Sequence, residues 1–168
     1  MNFEQMMIIE AQRLYDTEQQ LMQGMGMMSD MAQSPELKQA FQRHQMETQG
    51  QIQRLEQLCQ QLGCSPTGEQ SMVARALVQE AQQTLGGQQP SPVTDAMIIG
   101  AAQKGEHLEI ACYGTARTLA MQMGNQQAAQ LLEQTLQEEK RADEMLTQIA
   151  ESGVNQQAVQ QGGRAQMM

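Results

Sequence analysis

The stretch GEHLEIACYG, residues 105–114, sets the strongest condition on the fold. Read as a helix, it places Glu106 and Glu109 on one face, and that face continues through Ile99, Ala102, Tyr113, Ala116, Ala120 and Met123 in alternating steps of three and four. Such a stripe is a core seam, here with two acids in its middle. A carboxylate withdrawn from water is strongly destabilising unless something pairs or coordinates it. The fold must therefore bring a partner to the centre of this helix.

Three further long helices are predicted around it. The first runs from about Phe3 to Ala32 with the seam Met7, Ala11, Leu14, Glu18, Leu21, Met25, Met28. Ser34, Pro35 and Glu36 then supply an N-cap, a proline at the first helical position and an acid in the first turn, so a second helix starts there. Its seam is Leu37, Phe41, His44, Thr48, Gln51, Leu55, Leu58, Leu62, with Glu47 beside Thr48, and Gly63 ends it. The helix of the opening stretch spans Pro92 to Gly124. The last, about Gln126 to Glu151, carries Ala128, Leu132, Thr135, Glu139, Ala142, Leu146 and Ile149, with Asp143 adjoining Ala142.

These segments make two helical hairpins, joined by a connection with its own shorter helix, about Glu69 to Leu85. Short loops give antiparallel neighbours, and the long link can run back along a bundle. Aromatic residues supply only 2% of the chain and tryptophan is absent, while Leu, Met, Ala and Gln abound, which disfavours a sheet. The expected fold is all-α, one domain over residues 1–152, with a Gln- and Gly-rich tail over 153–168 expected to be mobile.

The net charge of -9 argues against nucleic acid as a partner and favours cations. No run is long and apolar enough for a membrane span, and the N-terminus MNFEQMMIIE lacks the basic start of a signal peptide, so the reading is a cytoplasmic chain with no membrane partner. Cys59, Cys64 and Cys112 match no zinc-ligand spacing and read as small core or boundary residues. Neither a nucleophile triad nor a phosphate-binding glycine loop is present.

The seam acids agree in depth. Glu18, Glu47, Glu106, Glu109 and Glu139 all fall near the middles of their helices, within about one turn of one level. None of the ten Lys and Arg residues takes a seam position, and His44 alone cannot balance so many acids. A divalent metal held by oxygen ligands and one imidazole fits that charge. Glu18, Glu47, Glu109, Glu139 and either Glu106 or Asp143 are the candidate ligands, with His44, Gln51 and Tyr113 as neighbours or further ligands. Gln51 offers a neutral amide oxygen, weaker than imidazole. Tyr113 either donates a hydrogen bond to a ligating carboxylate or packs in the core.

The motifs LYDTEQQL (14–21), SPELKQAFQRHQMETQGQIQRLEQL (34–58), AAQKGEHLEIACYGT (101–115) and LLEQTLQEEKRADEMLT (131–147) together resemble the YciE/YciF family of ferritin-like, stress-associated bacterial proteins. The resemblance covers about residues 4–151. It implies a ferritin-like four-helix bundle with an additional short helix in the long crossover, homodimer formation, and a site for two divalent ions, iron or manganese. It carries the family's acidic motif positions onto Asp16 and Glu18, Glu47 with His44, Glu106 and Glu109, and Glu138, Glu139 and Asp143. The implied function is stress defence through peroxide or dioxygen chemistry. Metal sequestration, or an interaction bundle without turnover, is the competing expectation.

Overall fold

The computed structural model describes residues 1–165. Helix α1 spans Phe3–Met31, α2 Pro35–Gln61, α3 Met72–Leu85, α4 Pro92–Gln122 and α5 Gln126–Ile149. A π-helical turn, Ala150–Val154, leads into α6, Asn155–Ala165. The starts follow local chemistry. Asn2 and Gln5 form a reciprocal capping box on α1, while Ser34, Ser71, Ser91 and Asn125 each accept a backbone N–H in the first turn of α2, α3, α4 and α5. Pro35 and Pro92 sit where the missing N–H costs nothing.

α1 packs on α2 and α4, and α5 packs on α4 and α2, so the four long helices close a bundle. Their buried side chains separate into two apolar halves. One holds Met25, Met28, Leu37, Phe41, Leu85, Ile98, Ile99, Leu146 and Ile149. The other holds Met7, Leu14, Leu55, Leu58, Cys59, Tyr113, Leu119 and Leu132. Following each chain segment through the two halves shows that α1 and α5 run one way and α2 and α4 the other. Each fully buried Leu, Ile or Phe contributes about 1.5–3 kcal/mol, and these halves are the source of the bundle's stability. Between them lies a buried polar layer of Glu18, His44, Thr48, Gln51, Glu106, Glu109, Thr135 and Glu139.

α4 comes close to α1 at Gly105, where a Cβ would stand 3.3 Å from a methyl of Leu21. The glycine is thus a contact point that brings Glu106 and Glu109 toward Glu18.

The sequence and the structure differ at the crossover and at the end of the chain. Residues 69–71 precede the helix rather than belong to it, because α1 holds them by their main chain. Gln12 accepts from the N–H of Glu69 at 3.2 Å and donates to the carbonyl of Ser65 at 2.9 Å. Asp16 accepts from the N–H of Ser71 at 2.7 Å. Asp16, an acid of the first motif, therefore serves the crossover. After α5 the chain stays helical: Val154 is buried in the first apolar half and α6 packs on α4. The described part of the tail expected over 153–168 is helix to residue 165, and residues 166–168 lie outside the described residues.

Asp95, buried in the first turn of α4, ties the two hairpins together. Its carboxylate oxygens accept the N–H groups of Gln33 at 2.7 Å and Ser34 at 2.8 Å, in the turn between α1 and α2. Replacing Asp95 by Ala leaves two amides without their charged acceptor and is expected to lower the unfolding free energy by about 2–4 kcal/mol in urea titration. A loss below about 0.5 kcal/mol would show that water replaces the carboxylate without cost.

Candidate metal centre

Each long helix delivers part of the polar layer. Glu18 comes from α1, His44 and Gln51 from α2, Glu106 and Glu109 from α4, and Glu139 from α5, all buried. Side-chain ligand atoms of His44, Glu106, Glu109 and Glu139 lie within 4.8 Å of one another. His44 Nε2 is 3.2 Å from Glu106 Oε1 and 3.5 Å from Glu139 Oε2. Glu18 stands beside Glu109, and the Tyr113 hydroxyl donates to Glu18 Oε1. Of the two roles open to Tyr113, it takes both: its ring is buried in the second apolar half, and its hydroxyl orients an acid.

Crowding acids without water shifts their titration. Burial pushes Glu18 up to about 7, against the opposing pull of Tyr113 and His44. Burial, with the charges of neighbouring carboxylates, holds Glu109 and Glu139 well above the usual carboxylate range. Burial alone would depress His44, but the adjacent carboxylates of Glu106, Glu47 and Glu139 carry it well above an ordinary imidazole.

Five buried atoms of this layer have no hydrogen-bond partner among the described residues: Glu18 Oε2, His44 Nδ1, Gln51 Oε1, Glu106 Oε2 and Glu139 Oε2. The four oxygens among them are acceptors, and unpaired oxygen acceptors gathered in one buried layer beside an imidazole are the donor set that a hard or borderline divalent cation requires. The residues therefore fit a metal.

Glu18 is in the buried layer beside this cluster, and two other residues expected as ligands, Glu47 and Asp143, stand outside the layer. Glu47 is exposed, its carboxylate 3.6 Å from His44 Nδ1, too long for a hydrogen bond. Thr48 holds the inward position on that turn, and the next residue on a helix is turned by about 100°. Asp143 is half-buried between α5 and α4, accepting from Gln103 at 3.0 Å and lying 3.6 Å from His107. Four residues overshoot a full helical turn by about 40°, which takes Asp143 from the centre occupied by Glu139 toward that interface.

Gln51 presents its amide nitrogen, donating to Glu139 Oε1 and, at 3.2 Å, to Glu138 Oε2. Arg54, three residues along the same face, pairs with Glu138 and donates to Thr135 Oγ1 at 3.0 Å. This backing was missed in the seam reading because Arg54 and Glu138 lie just off their seams. The spacing of Arg54 from Gln51 was the available signal.

A cavity of about 150 Å³ opens between α2 and α5 and reaches His44 and Glu106. Phe41, Met145 and Leu146 line it, as do the exposed Arg43, Glu47 and Arg141. No helix among the described residues is long and apolar enough to cross a membrane.

Comparison with known proteins agrees with this geometry. Residues 2–159 match the family described as "Domain of unknown function (DUF892)". Protein YciF of Escherichia coli (strain K12) is 40% identical over 145 residues, covering 86% of this chain and 87% of its own. The crystal structure of that stress protein superposes with a TM-score of 0.86 at 37% identity, over 92% of this chain and 98% of the other. A ferritin-like, diiron-carboxylate protein from Bacillus anthracis str. Ames matches with a TM-score of 0.70 over 89% of this chain and 98% of its own, but at 14% identity it shows the fold alone. This bundle with a buried His and Glu layer is therefore ferritin-like, and the chain belongs to the YciF family, DUF892.

Proposed function

We propose that this chain is a di-metal carboxylate protein, binding two iron or manganese ions in the central layer and serving stress defence through reaction with peroxide or dioxygen. The observation that carries the reading is the set of unpaired, buried acceptor atoms around His44, Glu106, Glu109 and Glu139. The stress role of the E. coli relative and the diiron site named for the Bacillus structure support it. A redox-active pair of ions held by these residues would supply the electrons for reduction of an oxygen species.

The protein's own groups have distinct tasks in this reading. Glu18, Glu106, Glu109 and Glu139 are the anionic ligands and His44 the nitrogen ligand. Tyr113 fixes Glu18 from the apolar side, and Gln51, backed by Arg54 and Glu138, fixes Glu139. The α2/α5 cavity gives a small molecule a path to His44 and Glu106, while the two apolar halves exclude water from the rest of the layer. The donation from Gln51 to Glu139 also favours a second reading, in which the site holds metal without turnover: an amide N–H draws charge from one of the acids and leaves one anionic ligand fewer than a second carboxylate would supply.

Metal analysis of the full chain purified without chelator, then reconstituted with each ion in turn, tests the first step. About two equivalents per chain are expected. Glu109→Ala and Glu139→Ala should each lose them, whereas Glu47→Ala should retain them. Gln51→Ala, which removes the donor to Glu139, is expected to weaken metal affinity by about 10–100-fold, the usual effect of removing an outer partner of a ligand. No uptake of either ion by the native chain would end the proposal. Uptake without peroxide consumption would leave the storage reading in place of the redox one.

The titration shifts give a pH test with a definite sign. Folded carboxyls raised above about 4.5 retain protons that the unfolded chain releases, and folded His44 does the same above its ordinary value. Their stabilisation is complete below the unfolded values and is lost as pH rises through the folded ones. The thermal midpoint of the metal-free protein is thus expected to fall between about pH 5 and 8. Metal must displace those protons, so affinity should rise over the same window, with proton release on binding. A metal-free midpoint that rises with pH would contradict the buried-acid picture.

A further inference from the structure

The crossover begins with a cysteine pair that the carboxylate layer does not use. α2 ends in a Schellman turn: Gly63 adopts φ 67°, its N–H bonds to the carbonyl of Gln60 at 3.2 Å, and the N–H of Cys64 returns to the carbonyl of Cys59 at 3.0 Å. In this motif the residue after the glycine folds back over the last helical turn, and its side chain meets that of the residue whose carbonyl it binds. Here both side chains are thiols. A main-chain bond of that length keeps the two Cα atoms within the roughly 4.4–6.8 Å that a disulfide spans.

Cys59 is wholly buried against the second apolar half, and Cys64 is partly exposed beside it; neither is in a disulfide. Burial pushes the Cys59 thiol up to about 12, with the adjacent Cys64 adding to the effect. These environments assign the two sulfurs different parts. The accessible one meets an oxidant first, and the buried one waits behind it. Cys112, on α4, lines another cavity with Glu10 and Arg13.

We propose that Cys59 and Cys64 are a two-electron redox site that a hydroperoxide closes to an intramolecular disulfide. The Cys64 thiolate attacks the terminal oxygen of the hydroperoxide, the O–O bond breaks, and the alkoxide or hydroxide leaves and takes up a proton. The resulting sulfenic acid is attacked by Cys59 sulfur; the S–S bond forms, the S–O bond breaks, and hydroxide departs as water with the proton from Cys59. Two thiols are oxidised by two electrons in all, and the peroxide is reduced by two. A dithiol reductant reverses the change. Closure would staple the start of the crossover to α2, next to the segment that Gln12 and Asp16 hold against α1. The site does not depend on metal in the central layer.

The full chain carrying Cys112→Ser, reduced and then treated with a small excess of hydrogen peroxide, tests this directly. After unfolding, alkylation and tryptic digestion, residues 55–75 fall in one peptide that contains both cysteines. The expected product is that peptide lighter by two hydrogens, unalkylated, and returned to two alkylatable thiols by dithiothreitol. In Cys64→Ser, verified as folded by circular dichroism, the product should vanish. Two alkylatable thiols persisting while methionines gain oxygen, or Cys64 proceeding to sulfinic acid with Cys59 still free, would overturn the proposal.

Discussion

The structure depends on a charge imbalance at its centre. Four buried carboxylates share a layer with one imidazole, and no Lys or Arg among the described residues enters it; Arg54 bonds to Glu138 and Thr135 at its edge. Such a layer would normally melt a small bundle, because desolvation of each charge outweighs what a hydrogen bond returns. It is tolerated here because apolar halves above and below supply the stability, and because its charge can be carried by protons or by cations. Fold and chemistry meet at this point. The same burial that raises Glu18, Glu109 and Glu139 gathers the donor set that a divalent ion would require.

Much of this was legible in the sequence. Seam spacing located the four long helices, Pro35 and Pro92 marked two of the starts, and the depth of Glu18, Glu106, Glu109 and Glu139 located the layer. The limit of that reading is angular. Along a helix, Glu47 and His44 are equally near the layer, yet a turn of about 100° per residue decides which of two adjacent residues faces inward. Thr48 takes that direction, so His44 and Gln51 follow it and Glu47 does not. Asp143 shows the same drift at the fourth residue after Glu139. The hydrogen bonds of Asp16 and Asp95 escaped the pattern for another reason: their partners are backbone amides of distant segments, which leave no mark in side-chain periodicity. The helix after Val154 is marked by one buried valine in a Gln-rich stretch, too little to form a stripe.

The two sides of the layer are unlike. On one, Tyr113 closes Glu18 against packed Leu and Ala side chains. On the α2/α5 side, backing by Gln51 and Arg54 lies next to an opening lined by Phe41, Met145 and Leu146. At Gly105 α4 lies close to α1, where an added Cβ would press on the Leu21 side chain.

Each long helix contributes to both apolar halves before and after crossing the layer. Fraying at either end of the bundle can therefore release one half of a helix while the other half keeps the layer closed. The main-chain amides of α1, α2, α4 and α5 at the level of the acids are held from both directions, and solvent exchange of their hydrogens follows opening of the whole bundle rather than of an end. The centre, chemically the least favourable part to bury, is for this reason the part whose backbone opens last.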